Sequence, residues 1–253
     1  MKFHRGILVE NKFETYLDQK RVKDLNPNLR TFIFDIFGPV DVKEKVSCKR
    51  IEGVMKPDIA VTVKGVTKYV SLKTGTAVAV HEELIKNFIL YLRSLGVSTE
   101  TQKTILYYQY GDMTLDGSGE KRLEYQDLRY ILKDRIKKAN EEFDKDKELM
   151  IEIVMRCVFK GADENNIEAD YIYDGNENYG VAVSQSQVLQ YLRKKSFSYM
   201  ENPHIGPLQY RPHARYVKKA IYNEKRRQKI ILHWANLSKD LEYIYDRFVD
   251  INK

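Results

Sequence analysis

Residues 57–73 read PDIAVTVKGVTKYVSLK, and the alternation within this stretch predicts a β-hairpin. Apolar and polar residues alternate on both sides of Gly65, as expected for two strands that each bury one face. The apolar face comprises Ile59, Val61, Val63, Val70 and Leu72. The polar face comprises Asp58, Thr62, Lys64, Thr67, Tyr69, Ser71 and Lys73. One face of the hairpin is therefore predicted to be core, and the other is free to line a cleft.

The register of this hairpin depends on its loop. If Gly65 and Val66 form a two-residue type II′ turn, which favours Gly at its first position, Asp58 pairs with Lys73. Residues directly opposite each other have Cβ atoms roughly 4.5 to 5.5 Å apart. We therefore predict a carboxylate and an ammonium group close enough to act on one phosphate.

Composition restricts the class of protein. The chain has 253 residues, of which 43% are hydrophobic and 31% charged, so it can bury a sizeable core in one large domain or two small ones. No apolar run approaches the roughly 20 residues of a membrane span, and the N-terminus lacks the apolar core of a signal peptide. We therefore expect an intracellular protein without a membrane partner. Cys48 and Cys157 lie far apart in strand-like runs without a CxxC pattern or a nearby His pair, which favours two buried thiols over a disulfide or a zinc site.

The order of predicted elements favours an α/β (α+β) fold with a central mixed sheet flanked by helices. An opening helix over residues 6–23 is followed by a strand, the hairpin, a helix over residues 81–94 and a strand over residues 104–110. A further apolar strand is predicted over residues 149–159. We expect a core over residues 1–123, with an α/β extension over residues 124–253 that recognises a partner or completes one continuous domain.

Positive charge is concentrated near the C-terminus. The net charge is +7, but residues 193–229 contain 11 Lys and Arg against two acids, so the rest of the chain sums to −2. A concentrated basic segment attracts a phosphate backbone, although solvated basic surfaces are also common. The candidate DNA contacts are Arg211, Arg215, Lys218, Lys219, Arg226 and Arg227. By contrast, the acidic run that includes Asp174 and Glu177 lacks the spacing of a calcium loop and is interpreted as a solvated hairpin.

The combination of Pro57-Asp58, the hairpin and Ser71-Leu72-Lys73, followed by a helix and a strand, resembles the core of the PD-(D/E)XK nuclease superfamily. This superfamily includes many restriction endonucleases, and the resemblance covers roughly residues 6 to 110. It implies that Asp58 is a Mg²⁺ ligand, that Lys73 positions or polarises the attacking water, and that the carbonyl of Leu72 is an additional metal ligand. Mg²⁺ prefers such hard oxygen ligands.

Ser71 departs from the pattern, because the family usually has Asp or Glu at this position. Some members with Ser recruit a glutamate from the following helix, which would here be Glu82 or Glu83. Either residue could instead be an acid favoured by the helix dipole. Members of the family also supply a glutamate from the first helix, and Glu10 lies near the apolar stripe of that helix. For Glu10, a metal-site role and a solvated helix surface are equally compatible with the sequence.

The resemblance implies a Mg²⁺-dependent DNA endonuclease of the type II restriction class that acts on double-stranded DNA in the cytoplasm of a bacterial cell. A homodimer would suit the cutting of both strands at a symmetric site. Two alternatives remain open. One is a defence, repair or mobile-element nuclease that recognises DNA structure instead of sequence. The other is a non-catalytic DNA-binding protein on a degenerate nuclease fold, which the presence of Ser71 suggests.

Overall fold

The computed structural model describes residues 5–53, 55–74, 79–119, 122–163, 166–197, 202–211 and 227–250. The chain forms two compact units, and each unit is assembled from separate stretches of sequence. The first unit comprises Met1–Val78, Met155–Lys194 and Asn236–Lys253, and the second comprises Ala79–Val154 and Lys195–Ala235. The predicted boundary between residues 123 and 124 does not coincide with this division.

The strands, in chain order, are β1 (Val46–Arg50), β2 (Ile59–Val63), β3 (Val66–Lys73), β4 (Ala79–Leu84), β5 (Tyr171–Gly175), β6 (Gly180–Ser184), β7 (His204–Ile205), β8 (Leu208–Tyr210) and β9 (Lys229–Trp234). The α-helices are α1 (Arg5–Leu17), α2 (Pro27–Phe37), α3 (Ile85–Ser94), α4 (Thr99–Tyr110), α5 (Tyr125–Ile131), α6 (Lys133–Lys145), α7 (Lys147–Met155), α8 (Gln185–Lys194) and α9 (Leu237–Arg247). A short 3₁₀ helix covers Val22–Asp24, and a π-helical segment covers Arg156–Lys160.

The first unit is built on a five-stranded mixed sheet in the order β1-β2-β3-β5-β6. β3 and β5 are parallel, and the other neighbouring pairs are antiparallel. Parallel neighbours require a crossover connection, and here the connection runs through the helices and the strand of residues 79–154 before it returns. The predicted α/β class, with a mixed sheet flanked by helices, is confirmed.

One face of this sheet packs against α1 and α2. Phe13 of α1, Phe32 of α2 and Tyr173 of β5 form an aromatic cluster with ring centroids 5.2 to 5.7 Å apart in edge-to-face geometry. Helix α2 begins where it does because the side chain of Asn26 accepts a hydrogen bond from the backbone amide of Leu29, and Pro27 occupies its first position. These contacts fix α1 over the sheet, which determines where its polar residues lie.

The hairpin has the predicted faces but a different register. Val63 pairs with Val66, so the two turn residues are Lys64 and Gly65 instead of Gly65 and Val66. Both turn residues have positive φ, at 52° and 77°, as a type I′ turn requires. The pairing partner of each residue moves by two positions, which preserves the faces: the five residues of the predicted apolar face are all buried. Asp58, one residue beyond the Ile59–Val70 pair, therefore comes opposite Ser71 instead of Lys73.

The second unit contains the antiparallel sheet β4-β9-β8-β7 with helices around it. Three predictions from the sequence are wrong for residues 81–159. Residues 81–84 belong to strand β4, so the predicted helix begins only at Ile85. The predicted strand over residues 104–110 is part of α4, which is capped by Ser98 and ends at Gly111 in the left-handed conformation. The predicted strand over residues 149–159 is helical, as α7 and the π-helical segment.

Two expectations about the chain as a whole can be compared with the structure. Cys48 and Cys157 are both buried and form no disulfide bond, as predicted. Within the described part of the chain, no helix combines the length and the apolar character that crossing a bilayer requires.

Candidate active site

Asp58 is held by the backbone of the sheet at the start of β2. Its amide donates to the carbonyl of Val70 at 2.9 Å, and its own carbonyl accepts from the amide of Ile51 at 2.9 Å. The side chain takes up the next position of the β3 ladder, because its Oδ2 accepts a 2.6 Å hydrogen bond from the backbone amide of Leu72. The carboxylate is therefore fixed by main-chain groups and does not depend on the rotamer of a long side chain.

Ser71 and Lys73 complete a small polar network around this carboxylate. Ser71 Oγ donates to Asp58 Oδ2 at 3.1 Å, and Lys73 Nζ donates to Ser71 Oγ at 2.7 Å and to the Leu72 carbonyl at 3.1 Å. Lys73 Nζ lies 3.5 Å from Asp58 Oδ2. The side chains of Lys73 and Asp58 keep 15% and 26% of their exposed surface, so solvent reaches both. The predicted proximity of the acid and the lysine is thus present, although the predicted register is not.

Glu10 of α1 lies within electrostatic range of this network. Burial raises the pKa of Glu10, the negative charge of Asp58 raises it further, and Arg50 and Lys73 lower it in part. Its carboxylate has no hydrogen-bond or ion-pair partner among the described residues. The metal-site role of Glu10 stays a prediction, supported by this electrostatic proximity to Asp58 and Lys73.

Lys56 is a second lysine near the site that the sequence analysis did not identify. Its ammonium group donates to the carbonyl of Cys157 in the π-helical segment. Burial, followed by the positive charge of Lys73, lowers the pKa of Lys56 to about 7. No sequence signal could have indicated this contact, because it joins residues 101 positions apart through an irregular helix. π-Helical turns of this kind occur frequently at functional sites.

Glu82 and Glu83 lie on β4 in the second unit, and the helix on which their predicted role depended is absent there. Glu82 forms a 2.7 Å ion pair with Lys229 of the neighbouring strand. The carboxylate of Glu83 is buried and lies 2.7 Å from His81 Nε2. Both carboxylates thus have partners within their own unit, and their role as metal ligands stays a prediction.

Of the six predicted DNA contacts, the structure describes two. Arg211 is exposed. Arg227 is buried, with Nη2 3.0 Å from Oδ2 of Asp112 and its guanidinium over the ring of Tyr110, so its position is at odds with the predicted DNA contact. Arg215, Lys218, Lys219 and Arg226 lie outside the described residues.

The oxygen atoms around Asp58 suit a hard divalent cation. Asp58 Oδ1 has no partner among the described residues, because all the contacts of this carboxylate are made by Oδ2. The Leu72 carbonyl and the carboxylate of Glu10 are further hard donors nearby. The described residues contain no group of three or more His, Cys, Asp or Glu that could hold a metal ion. Mg²⁺, however, is usually bound through one or two carboxylates together with water and substrate phosphates.

Comparison with models of known protein families finds no match to this sequence, and comparison with curated proteins finds no similar sequence.

Proposed function

We propose that this protein is a Mg²⁺-dependent DNA endonuclease of the PD-(D/E)XK type, with Asp58, Lys73 and Glu10 at its active site. The observation that carries the proposal is the network in which Lys73 Nζ lies 3.5 Å from Asp58 and both side chains contact Ser71. The order of elements supports it as well. A helix, three antiparallel strands and a crossover to a parallel strand follow in the implied order, although the parallel strand is β5 and not the predicted strand of residues 104–110.

In this proposal, Asp58, Glu10 and the Leu72 carbonyl would hold Mg²⁺. The metal would neutralise charge on the scissile phosphate and lower the pKa of a bound water. A cation held by these residues would also offset the repulsion from Asp58 that, after burial, raises the pKa of Glu10. This arrangement dispenses with a third carboxylate, so Ser71 does not by itself argue against catalysis.

Lys73 would position the nucleophile and stabilise charge on the phosphate. Its ammonium group has three N–H donors, two of which are directed at Ser71 Oγ and the Leu72 carbonyl. The third is free to donate to a water or to a phosphate oxygen. Ser71, at 1% exposure, would hold the lysine in this orientation and would not itself bind metal.

The test is cleavage of plasmid and linear DNA with and without Mg²⁺ by the wild-type protein, Asp58→Asn and Lys73→Met. Removal of one charged group that stabilises a transition state costs on the order of 10² to 10³ in rate, and we expect a loss of at least this size for each variant. The matched controls are Glu52→Gln and Lys49→Met, which remove the same charges from exposed positions on β1 and just after it and should cut at the wild-type rate.

The same assay separates the alternatives. Discrete fragments from a long DNA would support sequence-specific restriction, whereas cleavage limited to branched or gapped DNA would support a structure-directed nuclease. Tight DNA binding by the wild-type protein without cleavage of any substrate would reject the enzymatic function and favour a non-catalytic DNA-binding protein. Cleavage that survives in Asp58→Asn would reject the proposed site.

A further inference from the structure

A cleft of about 700 Å³ lies in the first unit, beside the carboxyl ends of the parallel strands β3 and β5. Its walls include Thr74, which directly follows Lys73, and Asp174, which pairs with Lys73 in the sheet. Small-molecule sites occupy roughly 300 to 1,000 Å³ and are found preferentially outside the carboxyl ends of parallel strands. The size and place of the cleft are thus those of a ligand site.

The cleft carries an excess of negative charge. Asp174, Glu177 and Glu242 line it, and among the described residues that line it Lys12 is the single cation. Lys12 Nζ is paired with Glu177 Oε1 at 2.7 Å, so two carboxylates remain without a countercharge from the lining residues. Burial raises the pKa of Asp174 and the negative charge of Glu242 adds to this, although a hydrogen bond with Ser238 opposes it. Bound phosphate is therefore disfavoured, and a bound cation would relieve the repulsion.

Glu177 supplies an acceptor that the protein leaves unused. The residue is 7% exposed, and its Oε2 is buried and has no hydrogen-bond partner among the described residues. Its position is fixed by its backbone, because the Glu177 carbonyl accepts a 2.8 Å hydrogen bond from Asn26 and the preceding carbonyl, of Asn176, accepts one of 2.7 Å from Tyr173. A buried carboxylate oxygen without a donor is costly, so rotation of this side chain towards a ligand ammonium group in the cleft would be favoured. The interpretation of this acidic hairpin as solvated is wrong for Glu177.

The apolar residues that line the cleft favour an organic cation over a bare metal ion. Leu8, Val9 and Val181 add apolar surface to the walls, and a bare metal ion would leave this surface and most of the cleft volume unfilled. An aliphatic chain with ammonium groups at its ends matches both features. We propose that the cleft binds an organic diamine or polyamine, with one ammonium group at Glu177, another at Asp174 and Glu242, and methylene groups against the apolar residues.

This proposal does not depend on nuclease activity, so titration calorimetry on the full-length protein tests it. The probes are 1,5-diaminopentane, spermidine and, as a neutral match, 1,5-pentanediol. We expect saturable binding of the two amines at one site and none of the diol. Because Glu177→Gln removes a charge-assisted hydrogen bond, it should weaken amine binding by roughly tenfold or more. The control Glu52→Gln removes an equal charge from an exposed position and should bind as the wild type does.

A second variant, Lys12→Met, should change the affinity for amines in the opposite direction. Lys12 has a side chain that is 53% exposed, so Lys12→Met should fold normally. It removes the cation that competes for Glu177, and we expect tighter amine binding. The proposal is overturned if the wild type shows no saturable amine binding, if Glu177→Gln and Glu52→Gln bind equally, or if Lys12→Met weakens binding. It is also overturned if N-acetyl-lysine methylamide, with one ammonium group, binds as tightly as the diamine, or if Mg²⁺ displaces the amine from the carboxylates at comparable concentration.

Discussion

In the proposed site, Glu10 is the residue at which catalysis and folding stability would place opposite demands on one carboxylate. Its pKa is raised by burial and by Asp58, so the folded protein holds the proton of Glu10 more tightly than the unfolded chain does. Deprotonation therefore costs folding free energy, fully above the raised pKa and not at all well below the ordinary value of 4.5. A carboxylate kept at such a cost is typical of a functional site.

The first prediction follows from the upward direction of the pKa shift of Glu10. Glu10→Gln should be more stable than the wild type at pH 7, and the difference should shrink as the pH falls through the raised pKa towards 4.5, because the wild-type carboxylate then becomes neutral too. Urea unfolding at several pH values measures it, with Glu52→Gln as the exposed control. Mg²⁺-dependent cleavage by Glu10→Gln should fall at the same time. Equal stability at pH 7, or a difference independent of pH, would contradict the electrostatic account.

Arg227 is buried and paired with Asp112, so we expect it to stabilise the fold instead of contacting DNA. The side chain of its partner Asp112 is fully buried, and the carboxylate also accepts hydrogen bonds from the amides of Thr114 and Gly119. Removal of one partner of a buried ion pair costs about 3 to 5 kcal/mol, because the other charge is left uncompensated. We predict a loss of this size in the unfolding free energy of Arg227→Met, measured by chemical denaturation.

Two comparisons sharpen the prediction for Arg227. The exposed Arg211→Met should change stability by less than about 0.5 kcal/mol. The double variant Arg227→Met with Asp112→Asn should recover part of the loss, since no unpaired charge remains. If Arg227→Met instead keeps wild-type stability and loses DNA affinity with a smaller salt dependence, Arg227 contacts phosphate and the buried pair is not what holds it.

Among the elements, the β2–β3 turn determines which residues meet in the site. Lys64 adopts φ of 52°, a conformation that costs most L-residues roughly 1 to 2 kcal/mol and that Asn tolerates better. Lys64→Asn should therefore raise the unfolding free energy, and Gly65→Ala should lower it by about 1 to 2 kcal/mol, since Gly65 has φ of 77°.

Lys64→Gln is the control for this turn, because it removes the same charge, and with it the 3.5 Å surface pair to Glu44, without favouring the left-handed conformation. Thermal unfolding of the three variants measures the effect. If Lys64→Asn and Lys64→Gln unfold alike while Gly65→Ala is neutral, the type I′ turn is wrong and the register must be reconsidered.

The β2–β3 hairpin and α4 show how much of the fold could be predicted from the sequence. Alternation predicted the two faces of the hairpin, because a buried face imposes a period of two whatever the turn. The register was missed because nothing in the sequence marks Lys64 as the residue in the left-handed conformation. Residues 104–110 have high strand propensity, but the capping residue Ser98 and Gly111 after the last turn indicate α4, so that error was avoidable. Lys56 and Glu177 could not be assigned roles, because their contacts depend on distant segments.

At the scale of the whole molecule, each of the two units is assembled from separate stretches of sequence. A single cut in the chain therefore cannot separate them. The core of the first unit joins Phe13 and Phe32 to Tyr173, far along the chain. We predict that a fragment of residues 1–123 will not fold cooperatively, because it lacks β5, β6 and α9, which leaves an edge of β3 unpaired and removes Tyr173 from the core. A broad, non-cooperative melt by circular dichroism, compared with the sharp transition of the full chain, is the expected result. A cooperative transition in the fragment would show that residues 1–123 form an independent domain.

The long crossover between β3 and β5 also sets the order of events during synthesis. The segment from Lys73 to Tyr171 spans 98 positions, which a ribosome adding about 5 to 20 residues per second needs roughly 5 to 20 s to complete. During that interval the hairpin that carries Asp58 and Lys73 has an open edge, which invites pairing with other chains. A nascent chain in this state lacks the strand that completes its sheet, so we expect it to require chaperones and to be inactive. The late synthesis of β5 would then delay the proposed nuclease activity until most of this chain has been made.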